Sequence, residues 1–502
     1  MGFLNNLTMA FSIALEPANL LVCFIGVLIG TLVGVLPGLG PTSAISLLLP
    51  ITFTLSPVQA IIMLAGIYYG AQYGGSTTSI LVNIPGEASS MITCLDGYQM
   101  ARKGRAGPAL GIAAFGSFIG GTFTVVMLML LAPPLAGIAL KFGPPEYTAL
   151  MFFGITMVTC LSSGSLVRSL MMGAFGLLLG SIGTDLVTGV ERYALGITEL
   201  QDGIGIVPVI MGLFGISEVL LNLESLAEQR EVFKTSIKGL FPTRQDWKDS
   251  AWPITRASLV GFFLGLIPGI GAAISAMISY AMEKKLSRHA GEFGKGAIEG
   301  VAGPETANNA TAGAAFIPLL SLGIPSNVVL AVLMGGFLIH GITPGPLLLK
   351  EHPALFWGVV GSMYIGNVML LVLNLPLIGI WVRILKVPYA ILFPLIFLFC
   401  LVGAYSLNKS AFDILIMILF GIIGYLMKKF DYAAPPLVLA FILGPMLEEN
   451  LRQSLIISGG SFLIFFSRPL SAVFVIFTLG LLLSPPLVKG FKRWRAAHPA
   501  GV

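Results

Sequence analysis

Twice in this chain, once in each half, a long apolar segment is interrupted by the same glycine-proline signature. Residues 34–40 read Gly34-Val35-Leu36-Pro37-Gly38-Leu39-Gly40, and residues 265–271 read Gly265-Leu266-Ile267-Pro268-Gly269-Ile270-Gly271. Proline removes a backbone donor and glycine weakens a helix, so each signature breaks the helix and releases N–H and C=O groups. In hydrocarbon each freed group costs several kcal/mol unless protein, water or a ligand satisfies it. Matched interruptions in corresponding halves are how secondary transporters assemble a binding site from half-helix ends. The pair points to a transporter of that kind.

Composition agrees. Hydrophobic residues make up 56% of the 502 and charged residues 10%, against about a quarter charged in ordinary soluble chains. Mean hydropathy is +0.93. Apolar stretches recur from about residue 19 to residue 487, and at about 20 residues per span there is room for roughly a dozen. No polar stretch is long enough for a soluble domain. The expected fold is an all-α polytopic membrane protein with about 12 transmembrane helices, in two inverted-topology repeats with broken or re-entrant helices. Gly 61 and Pro 31 fit broken helices and close packing, and the spacings Gly26-Gly30-Gly34 and Gly261-Gly265 let backbones approach.

Other chemistries find little support. Cys23, Cys94, Cys160 and Cys400 are isolated, without a CxxC partner, and fit packing better than a disulfide or metal site. His289, His340, His352 and His498 show no metal-ligand spacing. Gly291-Glu292-Phe293-Gly294-Lys295-Gly296 lacks the spacing of a phosphate loop and any preceding strand, which excludes nucleotide binding there. Met1 to Leu15 has no basic leading region, which argues against a cleaved signal peptide.

The repeat extends beyond the signature. Asn83-Ile84-Pro85-Gly86 matches Gly323-Ile324-Pro325-Ser326, Pro145-Glu146-Tyr147 matches Val387-Pro388-Tyr389, and Gly215-Ile216-Ser217-Glu218 matches Gly444-Pro445-Met446-Leu447-Glu448. The chain then divides into an N-terminal segment (1–18), a first repeat (19–225), a polar cytoplasmic link (226–252), a second repeat (253–452), and 453–502 with an extra helix near 469–487 and a basic cytoplasmic tail. The link carries Glu228, Arg230, Glu231, Lys234, Lys238, Arg244, Asp246, Lys248 and Asp249. Basic residues favour opposite loops in the two halves. Arg102, Lys103 and Arg105 stand against a poor loop near Lys350, Lys141 against Arg383 and Lys386, and Arg192 against Lys428-Lys429. By the positive-inside rule that opposite phase means inversion.

Candidate site residues cluster at the breaks. A half-helix starting after Pro37-Gly38-Leu39-Gly40 presents free N–H groups, with Thr42 and Ser43 as caps, and such a terminus binds anions. Pro268, Gly269, Gly271 and Ser275 repeat the arrangement with fewer hydroxyls. Tyr69, Gly74, Gly75, Ser76, Thr77 and Thr78 form a polar run between apolar blocks, costly to bury without partners. That run either coordinates a ligand or bonds back to its own helix. In the second half Glu305, Asn308, Asn309 and Thr311 offer oxygens suited to a hard monovalent cation such as sodium, and Asn83 is a further candidate ligand. Glu305 alternatively caps a helix from a loop. Glu87 carries the same ambiguity, and Asp96 reads as an interfacial cap.

At these residues the chain resembles the large membrane subunit of the tripartite tricarboxylate transporters. The likeness rests on the paired PGxG segments, on Gly66-Ile67-Tyr68-Tyr69-Gly70 running into Gly74-Gly75-Ser76-Thr77-Thr78, on Asn83-Ile84-Pro85-Gly86-Glu87, on Leu95-Asp96-Gly97-Tyr98 and on Gly303-Pro304-Glu305-Thr306-Ala307-Asn308-Asn309. It covers almost the whole chain. What the resemblance implies is a multi-pass permease of the bacterial inner membrane, working with a small membrane subunit of about four helices and a periplasmic solute-binding protein. The substrates it implies are organic acids, with citrate the namesake, taken up on an ion gradient, sodium first, without ATP. No organic cofactor and no nucleic-acid partner is expected.

Two other classes are weighed. An anion channel or uncoupled carboxylate facilitator built on the same breaks would show no uphill accumulation. An intramembrane enzyme needs a nucleophile–base pair or metal ligands at membrane depth, and the sparse histidines and cysteines argue against it.

Overall fold

The computed structural model describes residues 3–497 except 37–38, 163–164, 186–187, 225–238 and 385–388. Pro37 and Gly38 of the first signature, most of the link (Glu228, Arg230, Glu231, Lys234 and Lys238 included), Lys386, Val387, Pro388 and His498 lie outside the described residues. The fold is all-α, with 79% of residues helical. Strand among the described residues is a short antiparallel pair, Gly183–Thr184 with Glu191–Arg192. Helices Pro17–Val35, Ala106–Ala139, Pro353–Asn374 and Ala411–Lys429 are each long and apolar enough to cross a membrane, and several shorter apolar helices accompany them. The chain is a multi-pass membrane protein.

It forms two compact units. One comprises Met1–Leu140 with Gly205–Lys429, the other Lys141–Ile204 with Phe430–Val502. The second unit packs helix Ala434–Ile457 against Pro144–Leu161 and Leu166–Gly180, and lays Pro469–Ala497 along Pro144–Leu161. A charge network ties it: Arg192 and Arg452 both reach Glu448, at 2.8 and 2.6 Å, and Arg452 also reaches Asp185 at 2.8 Å.

The first unit is built on two broken helices, and each is followed by a helix that packs along its first limb. Pro17–Val35 stops at the first signature, and the chain resumes as Pro41–Leu48. Arg244–Gly265 stops at the second signature and resumes as Ala272–Leu286. Pro57–Val82 starts on a Ser56–Gln59 capping box and lies against Pro17–Val35. Glu299–Ala314 lies in the same way against Arg244–Gly265.

The glycine spacings make both contacts possible. A Cβ added at Gly26, Gly30 or Gly34 would fall 2.5, 2.5 and 2.3 Å from the carbonyl oxygens of Met63, Ile67 and Ala71. At Gly261 and Gly265 it would fall 2.5 and 2.6 Å from those of Ala307 and Thr311. Lipid offers no hydrophobic drive for helix association, so such backbone approach supplies the van der Waals energy that replaces it.

The freed backbone at each break is partly satisfied from a neighbouring element. Thr78 Oγ1 donates to the Val35 carbonyl at 2.7 Å, in the last turn before the first break. Gly269, at φ +85°, donates its N–H to the Ser326 carbonyl at 2.8 Å. The segments Asn83–Gly86 and Gly323–Ser326 also begin alike, both leaving a helix through a left-handed residue, Asn83 at φ 59° and Gly323 at φ 76°.

These contacts separate two kinds of glycine. Gly30→Ala, overpacked against the Ile67 backbone, is expected to cost about 1–3 kcal/mol and to reduce the monodisperse fraction on fluorescence-detected size exclusion. Gly40→Ala, which meets nothing within 4 Å and has an ordinary φ of −82°, is expected to elute like the parent protein. Equal profiles for the two variants would refute the packing role.

Candidate functional site

Both breaks open onto one cavity of about 590 Å³ in the first unit, within the ~300–1,000 Å³ usual for small-molecule sites. Helix Pro41–Leu48 brings Gly40, Pro41, Thr42 and Ser43 to it, and helix Ala272–Leu286 brings Gly271, Ala272 and Ala273. The two starts match in backbone: Gly40 sits at φ −82°, ψ 168° and Gly271 at φ −78°, ψ 164°. Neither start has a side-chain cap. The capping expected of Thr42 and Ser43 is therefore not made, because Ser43 Oγ donates to the Phe214 carbonyl at 2.8 Å. First-turn N–H groups without a side-chain acceptor, at the positive end of the helix dipole, suit a carboxylate.

The rest of the wall is mixed, with Pro85, Ala88, Phe214, Val328 and Val329 as its apolar part and a few convergent polar side chains. Tyr68 and Gln72, one turn apart on Pro57–Val82, both face the cavity. Glu87 and Asn327 occupy equivalent positions, each following an Ile-Pro-small triplet, and both line it. Asn327 accepts from Leu330 N–H and donates to the Tyr68 hydroxyl, each at 3.0 Å. Ser89 donates to Gln72 Oε1 at 2.9 Å and also contacts the Glu87 carboxylate. Glu218 and Lys428, paired with each other, complete the charged lining. The lining thus carries two carboxyl groups, Glu87 and Glu218, against one lysine.

Behind Glu87 lies a second carboxylate. Glu305 is fully buried in the middle of Glu299–Ala314, not in a capping loop. Its Oε2 accepts from Ser76 Oγ at 2.5 Å, and its Oε1 accepts from the Thr93 hydroxyl. Glu87 interacts electrostatically with Glu305 and lies beside Asn308. The Asn308 amide is fully buried, and among the described residues neither its oxygen nor its nitrogen meets a partner in hydrogen-bond geometry. Among the described ion pairs, neither Glu87 nor Glu305 is matched by a basic side chain. Two adjoining carboxyl groups and a buried amide thus gather hard oxygen donors in one place.

The remaining sequence candidates fall elsewhere. Tyr69 donates to the Ser362 carbonyl at 3.3 Å. Gly74 packs against the Thr31 carbonyl, and Gly75 against the Glu87 side chain. Thr77 lines a small void of about 10 Å³ shared with Ser76 and Ser117. Thr78 serves the first break as described, and Pro268 and Gly269 form the second. Ser275 is buried with its hydroxyl unpartnered among the described residues. Asn309 donates to Ser117 Oγ at 2.7 Å and to the Glu305 carbonyl at 3.2 Å. Thr311 donates to the carbonyls of Gly261 and Ala307, at 3.1 and 2.7 Å, which ties its helix to the glycine stripe. Asn83 is the exposed left-handed cap of its helix. Asp96 is a cap as read, accepting from the N–H groups of Gly296 and Ala297 at 2.7 and 2.9 Å.

Tyr68, Gln72, Asn327, Glu218 and Lys428 were not among the sequence candidates. Aligning the repeat one residue further would have exposed Glu87 and Asn327 together. Helical spacing from Ser76 back to Gln72 and Tyr68 marks the cavity face of Pro57–Val82.

Comparison with known proteins identifies the scaffold. The profile of the Tripartite tricarboxylate transporter TctA family matches residues 20–439. The chain is 51% identical over 472 residues to an uncharacterized 52.8 kDa protein in the TAR-I ttuC' 3' region of Agrobacterium vitis, covering 94% of each chain. It is also 51% identical over 212 residues to an uncharacterized protein in the TAR-II ttuC' 3' region of the same organism, covering 42% of this chain and 88% of that one. No solved structure matches. The chain belongs to the TctA family and is a transporter protein.

The cavity geometry is open to a direct check. With Cys23, Cys94, Cys160 and Cys400 replaced, Thr42→Cys and Ala273→Cys should react with a charged, membrane-impermeant thiol reagent in purified protein. Thr78→Cys and Thr311→Cys, both fully enclosed, should stay unmodified on the same timescale. Equal labelling of all four would dismiss the cavity.

Proposed function

We propose that this TctA family protein is the large permease subunit of a binding-protein-dependent secondary transporter, taking up carboxylates on a cation gradient, with sodium the coupling ion. The substrate is a tricarboxylate such as citrate or a related organic acid. Its partners are a small membrane subunit of about four helices and a periplasmic solute-binding protein, and its place is the bacterial inner membrane. The observation that carries the reading is the union, at one cavity, of two uncapped helix starts with the Glu87 carboxyl group and Glu305 behind it. A carboxylate entering that cavity is repelled until cations neutralise Glu87 and the Glu305 behind it. Co-binding of cation and anion follows from the charges themselves.

Within this reading the cation sits at Glu305, Glu87, Asn308 and Ser76, and the substrate carboxylate at Gly40–Ser43 and Gly271–Ala273. Asn309, Thr311 and Asn83 support the scaffold instead. Neutral amide and hydroxyl oxygens with carboxylates are the hard donors a small monovalent ion takes.

The reading also keeps two inverted repeats and about 12 spans, with the halves at 19–225 and 253–452. What supports it is reciprocity. Arg192 of the first half pairs with Glu448 of the second, and Lys428 of the second pairs with Glu218 of the first. The sequence repeat equates Arg192 with Lys428-Lys429, and Glu218 with Glu448. Exchange of equivalent partners is what a two-fold relation between halves produces.

Sodium should raise the melting temperature of the purified protein, as any ion selective for the folded state does. Glu305→Gln and Asn308→Leu should abolish that rise, while Thr311→Val should lower the baseline yet keep it. A sodium response intact in Glu305→Gln and Asn308→Leu would remove the cation assignment.

Transport is tested in proteoliposomes carrying this chain with its small subunit. An imposed sodium gradient and the cognate binding protein should together drive uptake at low substrate concentration, with ATP making no difference. Uptake that is equal without the binder, or that persists once the gradient is collapsed, would favour an uncoupled facilitator.

A further inference from the structure

We propose that Lys428 anchors a second carboxylate of the substrate, and that Glu218 holds this lysine while the cavity is empty. The idea rests on the reading of the cavity as a carboxylate site. Lys428 ends helix Ala411–Lys429, and Glu218 lies near the start of Ser217–Glu224. Their side chains form an ion pair, and both line the cavity that holds the two helix starts. Among the described residues lining that cavity, Lys428 is the one basic side chain.

The neighbouring lysine shows the contrast. Lys429 pairs with Glu224 at 2.8 Å and lies over the Tyr425 ring, and it is not a lining residue. Lys428 instead keeps a side chain 36% exposed on the cavity side of its helix, with Glu218 at 18%. A partly solvated lysine–carboxylate pair contributes little to stability, so it is exchanged at little cost. Lysine suits exchange: it is a point charge with rotatable donors on a flexible stem. Its repeat equivalent is held otherwise. Glu448 is shared by Arg192 and Arg452, both of which also reach Asp185, a network that fixes helices in place.

A substrate with one carboxylate at the helix starts brings its second within the same cavity, where it replaces Glu218 on Lys428. No bond is made or broken, and one charged partner substitutes for another. The helix starts bind any carboxylate. Lys428 then distinguishes substrates with two or more from those with one, because only the former compensate for the displaced Glu218.

The test is equilibrium binding of radiolabelled citrate, succinate and lactate to the full-length protein in nanodiscs with saturating sodium. Lys428→Gln should weaken citrate and succinate about tenfold, the effect of losing one charge-assisted hydrogen bond, and leave lactate unchanged. Lys428→Arg should stay close to the parent, which controls for folding. Glu218→Gln should tighten citrate severalfold by removing the competitor. A pair that only staples helices predicts the opposite: Glu218→Gln would lower the melting temperature and tighten nothing. Citrate affinity unchanged in Lys428→Gln, or lost equally for all three acids, overturns the assignment. Failure of the parent protein to bind any of the three would overturn the carboxylate reading itself, and the lysine anchor with it.

Discussion

Everything in the first unit follows from placing backbone breaks among apolar helices. A proline-glycine break frees polar groups that hydrocarbon does not satisfy. Here each break borrows a partner from an adjacent element: Thr78 serves the Val35 carbonyl, and the Ser326 carbonyl serves the N–H of Gly269. The Thr78 bond requires Pro57–Val82 to approach its broken neighbour closely, which Gly26, Gly30 and Gly34 allow, and Gly261 and Gly265 allow the matching approach of Glu299–Ala314. The glycines are thus the condition for the breaks. The two helix starts, which have no side-chain cap among the described residues, meet at one cavity.

The paired breaks, the all-helical class and the small-residue stripes were legible before any coordinates, because each is a local property of the chain. Family membership was also legible, from motifs spread over most of its length. The site was legible only in part. Polar density picked out the right helices, Pro57–Val82 and Glu299–Ala314, yet gave no rotation about their axes. Tyr69 and Tyr68 are adjacent in sequence and read alike, but Tyr68 lines the cavity while Tyr69 bonds the Ser362 carbonyl. Asn308 and Asn309 divide similarly, the first open and the second committed to Ser117.

Long-range charge pairs were the least legible part. Glu218 and Lys428 are far apart in the chain, and each alone reads as a solvated helix end. The opposite phase of basic residues in the two halves was visible, but it spoke of orientation rather than of partners. Only the fold shows that Lys428 meets Glu218 while Arg192 meets Glu448. That crossing is what supports the proposed two-fold relation between the halves.

The two sides of the cavity share a backbone and differ in side chains, and the difference gives the site its polarity. Gly40 and Gly271 have nearly the same φ and ψ, so the two helix starts match in direction, although Pro41 lacks the N–H that Ala272 offers at the same position. At the equivalent positions that follow, one side carries Glu87 and the other Asn327. Asn327 is neutral and fully used, capping its helix and holding Tyr68. Glu87 carries a carboxyl group and stands next to Glu305. Both halves therefore bring a helix start to the cavity, and both contribute to the buried carboxyl pair, Glu87 from the first half and Glu305 from the second. In the proposed transport cycle the helix starts hold the anion and the carboxyl groups hold the cation, so that neutralising one becomes the condition for holding the other.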